Sequence, residues 1–156
     1  MTSVTVGNKR ARASLVREVL DSSRLDAAPG DTVLRADDIC RLLAPDMRGA
    51  QQEAFVVVFL NARHRVTGTQ LVSLGTLDAS IVHPRDVFRA AILQSAAAVI
   101  VAHNHLSGDP EPSPEDIALT RCLAEAGRVV GVPVLDHVII GAAGRVSLAE
   151  RGILQS

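Results

Sequence analysis

The sequence predicts one α/β domain, a mixed sheet flanked by helices, on three observations. The chain has 156 residues, the length of a single compact domain. Three short runs are apolar and rich in β-branched residues: AFVVVFL at 54–60, AAAVIVA at 96–102 and VPVLDHVII at 132–140. Such runs suit strands buried on both faces. Between them lie stretches whose apolar residues recur at helical spacing. Strands alternating with helices place a chain in the α/β or mixed α+β class.

The elements follow in order. Residues 1–35 read as a helical lead-in, and residues 36–156 as the main domain. Within the lead-in, residues 9–20 form a helix with Ala13, Val16, Val19 and Leu20 at helical spacing. Arg10, Arg12 and Arg17 give it a solvated basic face. Residues 27–31 (AAPGD) are a linker. Residues 37–43 begin with two aspartates and carry Ile39, Leu42 and Leu43 on one stripe, as a short helix does, and Pro45 ends it. The first strand, 54–60, turns through 61–64 into a hairpin partner at 65–74. Pro84 starts a helix that runs to Leu93. The second strand, 96–102, runs directly into His103-Asn104-His105. An amphipathic helix at 114–130 follows, with Ile117, Leu119, Leu123, Ala126 and Val130 inward and Gly131 as its stop. The third strand, 132–140, leads through the GAAG turn at 141–144 into a last short strand and helix.

Composition narrows the function. The net charge is −1, which argues against a whole-domain footprint on nucleic acid. Aromatic residues make up 2% of the chain, with no Trp or Tyr, so stacking platforms for single strands are nearly absent. Apolar runs fall short of the ~20 residues a membrane span needs, and the start of the sequence lacks a secretory pattern. Two cysteines, Cys40 and Cys122, make no disulfide framework. Together these lead to the expectation of a cytoplasmic protein with no membrane partner. Cys122, on the helix after 113, reads as packing.

The chemistry concentrates in HNHLSGDPEPSPED, residues 103–116. Residues i and i+2 of a strand share a face, so His103 and His105 can offer two imidazoles side by side. Asp116 sits in the first turn of the next helix, where the chain has doubled back. Two His and one carboxylate leave a coordination position open, the pattern of a catalytic rather than a structural zinc site. A plainer reading stands beside it. Ser113-Pro114-Glu115-Asp116 is also a helix-capping sequence, in which Asp116 need only satisfy backbone donors. Asp136 and His137 interrupt an apolar strand; a structural pairing or a bond to a ligating His are both open, with structure favoured. His83 and His64 read as turn and solvent-facing residues, and Asp109 and Glu111 as loop acids.

The spacing H-x-H, seven residues, Ser, two residues, Asp resembles the JAMM (JAB1/MPN) metalloprotease signature on His103, His105, Ser113 and Asp116. Gly75-Thr76-Leu77, the stretch SIVHPRDVF at 80–88 and LDHVIIG at 135–141 resemble the RadC-like JAB domain family more closely, over about residues 36–154. The resemblance implies a JAB1/MPN-type fold with a cytidine-deaminase-like architecture. It implies that His103, His105 and Asp116 ligate Zn2+, and that Glu53 is the general base. It also implies that Ser113 hydrogen-bonds the oxyanion formed on an attacked carbonyl. The expected activity is that of a zinc-dependent hydrolase, a metallopeptidase cleaving a peptide or isopeptide bond in a protein or peptide substrate.

Two alternatives belong to other classes: a non-catalytic MPN-type binding domain, and a metal-dependent DNA-processing protein associated with repair. The second needs a basic track for phosphates, and local positive charge is confined to the 9–17 helix and Arg63 and Arg65. Nucleobase deamination is set aside, because its H-x-E and P-C-x-x-C ligands are missing. Leu106 stands where the family usually carries Pro, which removes one φ restraint from the loop. Longer RadC-like proteins carry an N-terminal helix-hairpin-helix region that a chain of this length is not expected to hold.

Overall fold

The computed structural model describes residues 32–75 and 82–154. The expected helix at 9–20 and the linker at 27–31 lie outside the described residues. The elements in order are α1 (Ala36–Arg48), β1 (Ala54–Leu60), β2 (Val66–Leu74), α2 (Pro84–Leu93), β3 (Ala98–Asn104), α3 (Pro114–Val130), β4 (Val134–Ile140) and β5 (Arg145–Ser147). The five strands form one sheet in the order β2-β1-β3-β4-β5. Only the β3/β4 pair is parallel; β1/β2, β1/β3 and β4/β5 are antiparallel. The mixed α/β class predicted from the sequence is the one observed.

Alternation along the central strands divides the core in two. On one face Val56, Val58, Ile100, Ala102 and Val138 pack against Ile39, Leu43 and Met47 of α1. On the other, Phe55, Val57, Phe59, Val99 and Val101 pack against Val87, Phe88 and Ala91 of α2 and Leu119 and Leu123 of α3. Because β1 and β3 are covered on both sides, all seven residues of each are buried. This is why AFVVVFL shows no polar alternation.

Several local expectations need correction. Pro45 does not end the first helix; α1 continues to Arg48. A proline removes one helical hydrogen bond, but Ala44 and Met47 are buried against the sheet, and Arg48 Nε donates to the Gly141 carbonyl at 3.1 Å. Strand β3 starts at Ala98 and takes in His103 and Asn104, since Phe55 pairs with His103 and Ile140 with Asn104. Strand β4 starts at Val134 rather than Val132. Val130 is exposed, the last residue of α3 before Gly131, which caps the helix in the left-handed conformation with φ 78°. Cys122 is exposed rather than packed. After β5 the chain makes turns instead of the expected last helix.

Among the described residues, no helix is long and apolar enough to cross a membrane.

Candidate metal centre

The site forms at the carboxyl end of the parallel β3/β4 pair, where open α/β sheets present crevices. His103 is the last residue of β3 on the α2/α3 face and is 1% exposed. Its ring stacks on Phe55, with centroids 5.9 Å apart. Asn104 points to the opposite face, and His105 returns to the first. Helix α3 begins beside them because Ser113 caps it: Ser113 Oγ accepts from the Asp116 N–H at 3.1 Å, and Asp116 Oδ2 accepts from the Ser113 N–H at 2.8 Å. The capping reading of Asp116 holds, and the cap is compatible with a ligand role. The cap fixes the carboxylate, and its oxygens face the imidazoles.

Three donor atoms converge. His103 Nε2 lies 2.9 Å from His105 Nε2, His105 Nε2 lies 3.0 Å from Asp116 Oδ2, and His103 Nε2 lies 3.3 Å from Asp116 Oδ1. Ligands at zinc-like bond lengths of 2.0–2.1 Å around a tetrahedron stand about 3.3 Å apart, so the triangle matches a shared cation to within a few tenths of an ångström. Its chemistry matches too. His105 Nδ1 is 2.9 Å from the Asp109 carbonyl, which can only accept. His105 therefore carries its hydrogen on Nδ1, and the Nε2 lone pair of the neutral ring faces Asp116. The His103, His105 and Asp116 group could hold a metal ion.

Electrostatics are those of a cation-seeking site. Burial would raise the Asp116 carboxyl, but the His103 and His105 rings beside it and the hydrogen bond from the Ser113 N–H outweigh that and hold the group far below the usual carboxylate range. The Asp116 hydrogen bond lifts His105 above its ordinary value against the opposing effect of burial.

Glu53 and Ser113 line the same pocket as the triad, a space of about 360 Å³ bounded also by Ser107, Asp109 and Glu111. Glu53 arrives from the residue before β1, and nothing in its sequence context marked it apart from other acids. Asp109 and Glu111, expected as solvated loop acids, form the rim, and Glu111 is paired with Arg151 (Nη2 to Oε2, 2.7 Å). Leu106 is 54% exposed on the outside of the loop. His83 precedes α2 as its N-cap, and His64 is exposed with a left-handed φ of 57° in the β1–β2 turn.

Two residues were missed or misjudged from sequence. Asn104, between the two imidazoles, is buried. Its Oδ1 accepts from the Ala54 N–H at 2.7 Å, and its Nδ2 donates to the Gln52 and Met47 carbonyls at 3.2 and 3.1 Å. The amide thus clamps the backbone on both sides of Glu53. A polar residue on the buried face of a strand was the available signal. Asp136 and His137, for which the sequence favours a structural pairing and leaves a bond to a ligating His open, divide between the two. Asp136 is structural, accepting from Ser147 Oγ at 2.6 Å and from the Ala149 and His137 N–H groups. His137 instead contacts His103, Nε2 to Nδ1, at 2.7 Å.

Comparison with known proteins agrees with this architecture. The family model described as the RadC-like JAB domain matches residues 33–153. The chain is similar to a UPF0758 protein of Symbiobacterium thermophilum, 51% identical over 137 residues, covering 84% of this chain and 57% of the relative. It is 46% identical to a UPF0758 protein of Desulforamulus reducens over 134 residues, 84% of this chain and 59% of the relative. It is 40% identical to one of Methanosarcina acetivorans over 153 residues, 96% of this chain and 67% of the relative. The chain thus spans somewhat more than half the length of the first two. With the fold, the His-His-Asp cluster and the matched span in agreement, this chain belongs to the RadC-like JAB domain family.

Proposed function

We propose that this domain is a zinc-dependent hydrolase of the JAMM type that cleaves a peptide or isopeptide bond. The observation that carries the reading is the convergence of His103 Nε2, His105 Nε2 and the Asp116 carboxylate in one pocket with Glu53 and Ser113. His103, His105 and Asp116 would hold the ion. When bound, zinc supplies Lewis acidity, lowering the pKa of water and polarising a carbonyl.

The protein's own groups do the rest. Glu53, on the pocket wall, takes a proton from the attacking water and returns it to the leaving amine. Ser113 Oγ uses a lone pair to cap α3 and keeps its one hydrogen to donate. That hydrogen serves the substrate oxygen as it gains negative charge.

The test is metal content and turnover measured together. Reconstituted protein is expected to hold about one zinc per chain, as three protein ligands with an open position require. His103→Ala is expected to lose the ion. Glu53→Gln is expected to keep it and to lose cleavage of a quenched-fluorescence peptide and isopeptide library by roughly 100-fold or more. No divalent metal after zinc reconstitution, or unchanged cleavage in Glu53→Gln, overturns the reading.

A further inference from the structure

We infer that Thr120 and His137 are positioning residues that fix the tautomer of His103, so that its Nε2 lone pair points at the ion site. The inference rests on the metal reading above only for its purpose. The hydrogen-bond chain is a property of the protein by itself.

Direction along the chain follows from counting hydrogens. Thr120 Oγ1 lies 2.6 Å from the Asp116 carbonyl oxygen. A carbonyl can only accept, so the single hydroxyl hydrogen of Thr120 is committed there. His137 Nδ1 lies 2.6 Å from the same Oγ1 and must therefore be the donor. His137 is fully buried between β4, Phe55 and His103, and burial favours its neutral form. With the hydrogen on Nδ1, Nε2 carries the lone pair. His103 Nδ1, 2.7 Å away, donates to it. His103 Nε2 is then left without a hydrogen, facing His105 and Asp116.

The opposite polarity fails on the same count. Were His103 to carry its hydrogen on Nε2, His137 would have to donate to it from Nε2 and accept from Thr120 at Nδ1. The Thr120 oxygen and the Asp116 carbonyl would then face each other at 2.6 Å with no hydrogen between them. A threonine in mid-helix commonly bonds back to the residue four earlier, and by itself that bond would mean little. Here the hydroxyl has a second contact, and that contact is the buried ring leading to His103. The chain also closes on itself. It starts at the backbone of Asp116 and ends at the imidazole next to the Asp116 carboxylate, so β3, β4 and α3 are tied together behind the site.

The experiment uses the full chain labelled with 15N in histidine and studied first without metal. Long-range 1H–15N correlations read the tautomer of each ring directly. Wild type is expected to show His103 and His137 each with hydrogen on Nδ1. Thr120→Ser is expected to keep this pattern. Thr120→Val, nearly isosteric, is expected to lose it and to weaken zinc binding about 10–100-fold in competition with a chromophoric chelator. A cobalt-loaded Thr120→Val protein is expected to show a shifted visible spectrum. His103 protonated at Nε2 in wild type overturns the inference. So does a Thr120→Val protein with wild-type tautomers and zinc affinity. Should Thr120→Val not fold, the wild-type spectrum and Thr120→Ser still decide. Wild type with the inferred tautomers but no zinc uptake supports the relay and overturns the metal reading instead.

Discussion

Replacing Asn104 separates the stability of this fold from the proposed metal binding. The side chain is 3% exposed and makes three hydrogen bonds, to the Ala54 N–H and to the Gln52 and Met47 carbonyls. Each is worth about 1 kcal/mol net, and a stranded buried donor adds about 1–3 kcal/mol. Asn104→Ala leaves the Ala54 N–H without its partner, so the expected loss is about 4–6 kcal/mol. Asn104→Asp is isosteric, but a carboxylate there keeps only the Ala54 bond and sets oxygen against two carbonyl oxygens, so it should be no milder. Urea unfolding followed by circular dichroism measures both, with an unchanged m-value expected. The imidazoles of His103 and His105 lie on the other face of the strand, so zinc stoichiometry should stay near one per chain wherever the variant is folded. Cleavage should fall, because the backbone on both sides of Glu53 is released. A loss below about 1 kcal/mol, within the range of a single hydrogen bond, refutes the clamp. So does a variant that loses zinc while remaining folded.

Three further outcomes test other parts of the structure. Phe55→Ala, at a site with no exposure beneath His103 and His137, should cost about 3–5 kcal/mol, read from the same unfolding curves; near-neutrality would mean the ring is not a core element. In Gly141→Ala the new methyl would collide with the Gly108 carbonyl and stand 2.7 Å from Pro110 Cδ. The shift should lower stability by about 1–3 kcal/mol and weaken zinc binding, since the Asp109 carbonyl that orients His105 sits in the displaced loop. Asp38 accepts from the Leu34 and Arg35 N–H groups at 2.9 Å each, and these bonds hold its carboxyl below the usual range. Asp38→Ala should therefore cost about 1 kcal/mol at neutral pH. Because the folded value is the lower one, that contribution is whole above the unfolded value of about 3.9 and fades as pH falls through the folded one. A gap between wild type and Asp38→Ala that widens on acidification would contradict this.

Local spacing made much of this protein legible. The i and i+2 positions of His103 and His105, the Ser113–Asp116 cap and the apolar runs of β1 and β3 are short-range facts, because side-chain direction in a strand and the open donors of a helix end are set within a few residues. What the sequence left undecided was which distant segments become neighbours. Glu53 could not be told from other acids until β1 paired with β3 and Asn104 gripped its flanks. For His137 a structural pairing and a bond to a ligating His both stayed open until the parallel β3/β4 register put its ring behind His103, and Thr120 was a helix residue until α3 packed over both. Pro45 stayed inside its helix because tertiary burial of Ala44 and Met47 outweighed a local rule. The order of strands in the sheet is a long-range outcome of burying two faces at once, and it is that order which assembled the surroundings of the imidazoles.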